Sequence, residues 1–147
     1  MKKVILFVLT LALFNCSSDD YNNDSDQDQQ QLIIPEATIL GRWVVPGFES
    51  TIRYEFTDDG KRFDIYSTDG TFPTLEDFNA ENPQLTGLDW YYEGDVLVVD
   101  LNFGNYSRLT PQFVCDNHVV KWIDENGEEF GFYYREDFDI TSCQDVQ

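Results

Sequence analysis

Few residues in this chain are of types that do chemistry, and their spacing narrows the options quickly. His118 is the only histidine and lies in the turn Asp116-Asn117-His118. A Ser-His-Asp site needs its nucleophile on a strained elbow, and there is no G-x-S-x-G, so His118 reads as a solvated turn residue. Cys115 and Cys143 have neither a CxxC partner nor an adjacent histidine, which argues against a zinc or dithiol-redox site. The 28 Asp and Glu residues are numerous enough that some must lie close in space, so a hydrolase using paired carboxylates is kept as the minor alternative to a non-enzyme. Asp100 is the most interesting acid, because it shares an apolar strand with Val96 and Val98; its plainer reading is a strand-end carboxylate. Asp58-Asp59-Gly60 with Asp64, and the run 124–129, could gather oxygen ligands for calcium. Neither has EF-hand spacing and both make good hairpin turns, so no metal and no cofactor is expected.

Those residues sit in a frame whose period is two rather than 3.6. The alternations Ile52/Tyr54/Phe56, Phe63/Ile65, Leu88/Trp90/Tyr92, Leu97/Val99/Leu101 and Phe130/Phe132/Tyr134 each place apolar side chains on one face of a strand. Between them stand turn signals that supply positive φ: Asp58-Asp59-Gly60, Asp69-Gly70, Glu93-Gly94-Asp95, Gly104-Asn105, Asp116-Asn117 and Asn126-Gly127. About eight strands are predicted, near 38–45, 50–57, 61–67, 88–93, 95–101, 106–115, 118–124 and 128–135. With no helical crossover, the class is all-β, an antiparallel up-and-down meander able to close into a barrel. The exception is 71–87, where Pro73 and Pro83 frame a helical turn capped by Thr74 inside a long loop.

The N-terminal segment carries an address. Lys2 and Lys3 precede an apolar run over 4–14, too short for a hydrocarbon core that needs roughly 20 residues, and the chain turns polar just after Cys16. Leu13-Phe14-Asn15-Cys16 resembles a bacterial lipobox. That resemblance implies a signal peptide over 1–15, cut so that Cys16 becomes the first residue and receives acyl chains such as palmitate. Phe14 and Asn15 depart from the small residues that commonly precede the cysteine. Residues 16–32 are Asp, Asn, Ser and Gln with little apolar content, a disordered acidic tether. Ser17-Ser18-Asp19-Asp20 resembles the export signal of surface lipoproteins in Bacteroidota-type bacteria, which implies an outer-membrane anchor facing the cell surface. That these acids only solvate a linker is an equal alternative.

Charge limits the partners. The chain has 9 basic and 28 acidic residues, net −19, and losing Lys2 and Lys3 with the signal takes the remainder to about −21. Nucleic acid and anionic headgroups would be repelled. With Cys16 given to lipid, Cys115 and Cys143 are left as one pair, and in an exported protein a disulfide is the default expectation. Such a bridge stabilises by about 3 to 4 kcal/mol on the chain-entropy account.

The barrel domain, 33–147, carries a second resemblance. Gly41-Arg42-Trp43, opening the first strand, resembles the Gly-x-Trp start of lipocalins and of lipocalin-like (calycin-type) domains in bacterial lipoproteins. The resemblance implies that Trp43 plugs the closed end, that Gly41 lets the chain pass close by, and that Arg135 at the end of the last strand stacks on Trp43. A bridge from Cys115 to Cys143 in the tail is also lipocalin-like. The chain is shorter than a full lipocalin, and 137–147 is too short and polar for the family's usual C-terminal helix. Inward aromatics either fill the barrel or line a pocket for a small apolar or aromatic ligand; the candidates are Tyr54, Phe56, Trp90, Tyr92, Trp122 and Phe132, with Arg42 or Arg53 to orient a polar end. The alternative is a fully packed envelope module that meets another protein.

Overall fold

The hairpin signals fall where the backbone reverses. In the computed structural model, which describes residues 36–146, Gly60, Gly94 and Gly127 take positive φ at the tips of three tight turns. The strands they join are β1 (Gly41–Val44), β2 (Ile52–Phe56), β3 (Lys61–Tyr66), β4 (Leu88–Glu93), β5 (Val96–Asp100), β6 (Tyr106–Val114), β7 (Val119–Ile123) and β8 (Glu129–Arg135). Every neighbour pairs antiparallel in chain order and β8 returns to β1, giving a closed eight-stranded up-and-down barrel. The signal peptide, Cys16 and the tether lie outside the described residues.

Among the described residues the one α-helix, α1 (Leu75–Glu81), lies in the β3–β4 connection and begins where Thr74 accepts a hydrogen bond from the Asp77 amide. It runs for two turns rather than the one expected, with Phe78 its buried residue.

Registers show which face is inside. Trp43, Phe56, Leu97, Val99, Val120 and Trp122 form the core with Ile39, and Tyr54, Leu88, Trp90, Leu109, Phe113 and Tyr133 pack on it. The outer face is not uniformly polar. Val119, Tyr134, Val44, Arg53 and Ile65 are successive register partners across β7, β8, β1, β2 and β3, and the two valines and the isoleucine in that row are fully or almost fully buried. Arg53 is the hinge of this outer layer. Its guanidinium stacks on Phe72 at 4.0 Å and donates to Glu136 at 3.0 Å. Its aliphatic stem can cover neighbouring apolar surface while the charged head stays paired.

Two strands therefore carry their apolar face outward. Phe63 and Ile65 of β3 lie on the opposite side from Arg62 and Asp64, and Phe132 of β8 pairs with Lys121, away from Tyr133, which pairs with the core residue Val120. Phe132 is thus corrected: it lies on the outer face and lines no barrel interior. The reason is the two-residue period of a strand. Once Arg135 faces in beside Trp43, Tyr133 and Gly131 must face in as well.

Candidate functional site

The barrel has two unlike ends. At one, residues 38–40 cross beneath the strands, and Ile39 and Trp43 are wholly buried. The Trp43 indole donates to the Ile39 carbonyl at 2.6 Å, and the Arg135 guanidinium lies over the ring at 4.0 Å. From there Arg135 donates to the carbonyls of Leu40 at 2.5 Å and Thr38 at 2.8 Å, which holds the crossing segment. Burial pulls the Arg135 pKa below its ordinary value. Gly41 has φ of +98°, which strains any other residue, and a Cβ there would stand 2.8 Å from an Arg135 nitrogen and push the guanidinium off its carbonyls. The Cys115–Cys143 disulfide ties the β6–β7 turn to the tail, with Cα atoms 5.7 Å apart. Beside it His118 stacks on Phe138 at 4.6 Å and its Nδ1 lies 3.2 Å from the Cys115 carbonyl, so the histidine is partly buried in packing rather than freely solvated.

The barrel axis is filled. Tyr133 makes edge contacts with Tyr54 at 5.4 Å and Trp122 at 5.3 Å, and Phe56 meets Trp90 at 5.8 Å. The void left among Phe56, Arg62, Trp122 and Tyr133 is about 20 Å³, the space of one water molecule. Of the aromatics read as pocket-lining, Tyr54, Phe56, Trp90 and Trp122 are packing residues of this core, and Tyr92 sits at its rim, 44% exposed.

Polar groups enter that interior from β3, whose Phe63/Ile65 alternation predicts an apolar inner face. Arg62 donates from Nε and Nη2 to the two carboxylate oxygens of Asp64 at 2.9 and 3.1 Å, and its guanidinium lies 4.5 Å above the Tyr54 ring. Desolvation pushes the Tyr133 phenol up to about 12, with Tyr54 a smaller cause, and raises Tyr54 as well. Arg42 and Arg53, the cations expected to orient a ligand, are on the outer wall. Arg42 pairs with Glu55 at 2.6 Å, and Arg53 with Glu136.

At the other end the wall is breached. Pairing between β3 and β4 stops at Arg62 with Leu88, so Phe63–Tyr66 has no β4 partner in the register. Alternation along β3 turns the peptide groups of Asp64 and Tyr66 toward this gap, since those of Lys61 and Ser67 bond to the β2 side. A cleft of about 690 Å³ fills the gap, bounded by β3 and by the 67–88 segment, with Asn102 from the β5–β6 turn at its rim. Phe63, Tyr66, Phe78, Leu85 and Leu88 give it apolar walls; Ser67, Asp69, Glu81, Asn82 and Gln84 give it polar ones.

The remaining candidates have other work. Asp100 accepts from the Asn102 amide at 2.8 Å, a strand-end turn. Asp124 accepts from the amides of Asn126 and Glu128, both at 2.9 Å, which closes a hairpin and holds its carboxyl below the usual range. Asp59 bonds to Thr57 within its own turn, and Asp64 faces Arg62 rather than Asp58. Among the described residues the one grouping with metal-ligand spacing is Cys115, Cys143 and Asp145, and both its sulfurs are in the disulfide. No helix among them is long and apolar enough to cross a membrane.

The fold and cleft define a class, a small closed antiparallel barrel with a lateral pocket beside one strand. No family model, curated protein or solved structure matches the chain significantly.

Proposed function

We propose that this chain is a lipid-anchored, lipocalin-like binding module, held on the outer membrane by acyl chains on Cys16, that takes a small ligand with an apolar body. The lateral cleft, rather than the barrel axis, is the place for it. One observation carries this reading: a gap of about 690 Å³ with mixed apolar and polar walls, in a size range typical of small-molecule sites, opens where the β3–β4 ladder stops. The reading is of a non-enzyme, in which the cleft binds rather than transforms its ligand.

Native mass spectrometry on the protein purified gently from its own host is the test. A stoichiometric extra mass, released on denaturation, supports the binding module. A clean apo mass instead favours the second reading, a packed structural or interaction module, for which the 20 Å³ interior void is the specific support. Anchoring is tested separately by expressing Cys16→Ala in the native cell type. Loss of membrane association is expected, and an unchanged distribution overturns the anchor.

A further inference from the structure

Taking the cleft as the binding site, we infer that it selects a cation: an organic amine or ammonium group carried on an apolar or aromatic body. The charged side chains that line it are Arg62, Asp64, Asp69 and Glu81. Arg62 and Asp64 neutralise each other through two hydrogen bonds, and the guanidinium is further occupied by the Tyr54 ring. What remains is the charge of Asp69 and Glu81, with no Lys or Arg anywhere in 67–87 to offset it. Asp69 is fixed as a carboxylate by the Thr71 amide and the Ser67 hydroxyl, which hold its carboxyl below the usual range.

The apolar walls suit the same ligand. Tyr66 is 67% exposed and offers an accessible ring face, and Phe63 and Phe78 stand in the same lining. An alkylated or aromatic amine can lay its body on these rings, where the quadrupole attracts the cation, while the carbonyls of Asp64 and Tyr66 at the open strand edge accept its N–H groups. An anion of the same shape would meet three carboxylates for one guanidinium already engaged. Long-range charge acts in the same direction, since a chain of net −19 concentrates cations and repels anions.

The test is a matched trio on the full-length chain in nonionic detergent, with phenethylamine, phenethyl alcohol and phenylacetate titrated by NMR or calorimetry. Phenethylamine is expected to bind at least about tenfold more tightly than phenylacetate, with the alcohol between them, and its affinity to fall as salt rises. Asp69→Asn with Glu81→Gln should remove most of that preference, on the order of tenfold, and Tyr66→Leu should weaken the amine while leaving the fold intact. Equal binding of amine and carboxylate overturns the charge selection but leaves the binding reading standing. Silence from all three probes overturns the amine assignment, while the host-purified mass alone decides whether the cleft binds anything.

Discussion

The two ends of this barrel spend their apolar residues in opposite ways. At the end where residues 38–40 cross, Ile39, Trp43 and Cys143 are buried to within 1% of full cover, clamped by Arg135 and the disulfide. At the end with the cleft, Phe103 is fully exposed, Phe130 is 74% exposed, and Phe48, Tyr66, Leu85, Leu101 and Tyr106 are exposed as well, whereas toward the closed end the exposed rings are Tyr91 and Tyr92 beside the β4–β5 turn. Charge does not explain the contrast, because the connecting segments at both ends carry acid and no Lys or Arg. The covalent bridge and the clamp on a wholly buried ring thus lie where the chain closes on itself, and most of the exposed large apolar side chains lie at the other end. A scaffold whose rigidity lies at one end can carry open, adaptable loops at the other.

Cutting a large buried ring at the closed end should have the largest effect. Trp43→Ala should cost about 3 to 5 kcal/mol by urea denaturation, through lost burial, a cavity and the lost Ile39 hydrogen bond. Leu85→Ala at the open end should stay within about 0.5 kcal/mol of wild type. Similar costs for the two would mean that the ends do not differ in stability. The disulfide is next: Cys143→Ser should lose about 3 kcal/mol by the chain-entropy account, with a lowered Tm, because the bridge spans 28 residues. An unchanged Tm would place the tail outside the closed end's cooperative unit.

How much of this was legible follows from what periodicity can encode. All eight strands, the Thr74 cap and the antiparallel meander could be read from alternation and turn residues, because those signals are local. Which face of a strand is inside is not local. β3 has Phe63 and Ile65 on one side and Arg62 and Asp64 on the other, and taking apolar as inside would bury the wrong pair. Ile65 is covered instead on the outer face, where its register partner Arg53 carries Phe72. The turn decides the face: Asp58-Asp59-Gly60 sets Phe56 opposite Arg62, so an inward Phe56 brings Arg62 inward. Arg135 over Trp43 likewise excludes Phe132 from the interior. The cleft could not be read at all, since it depends on where the β3–β4 ladder stops.

A third prediction concerns the polar layer between the ends. The Tyr133 phenol is pushed from 10 to about 12, so its neutral form is favoured in the folded chain. That preference is fully present below pH 10 and is lost as pH rises from 10 through about 12, where the unfolded chain ionises first. The loss should be about 2 to 3 kcal/mol, and Tyr133→Phe should flatten the alkaline limb of a stability curve. A Tyr133 phenol titrating near 10, read as the difference at 295 nm between the wild type and Tyr133→Phe, would show that water reaches the core from the breach, and the packed interior would then have to be abandoned.

The smallest effect is at the bare rim, and its sign makes it informative. Asn102, Phe103 and Gly104 follow one another with φ of 68°, 55° and 78°, a run of left-handed residues that only the glycine adopts without cost. Phe103 gains no burial in return. Phe103→Gly should therefore leave stability unchanged or raise it by about 0.5 to 1 kcal/mol, because relief of the strained backbone outweighs the added freedom of the unfolded chain. Phe103→Ser, which keeps the strain and removes the ring, should be neutral. A loss above about 1 kcal/mol in either variant would mean that the ring is packed in solution and that the open end is less open than its exposure indicates. Neutral or gained stability would show that the fold draws nothing from the Phe103 ring and holds it bare at the open end at the expense of strained backbone.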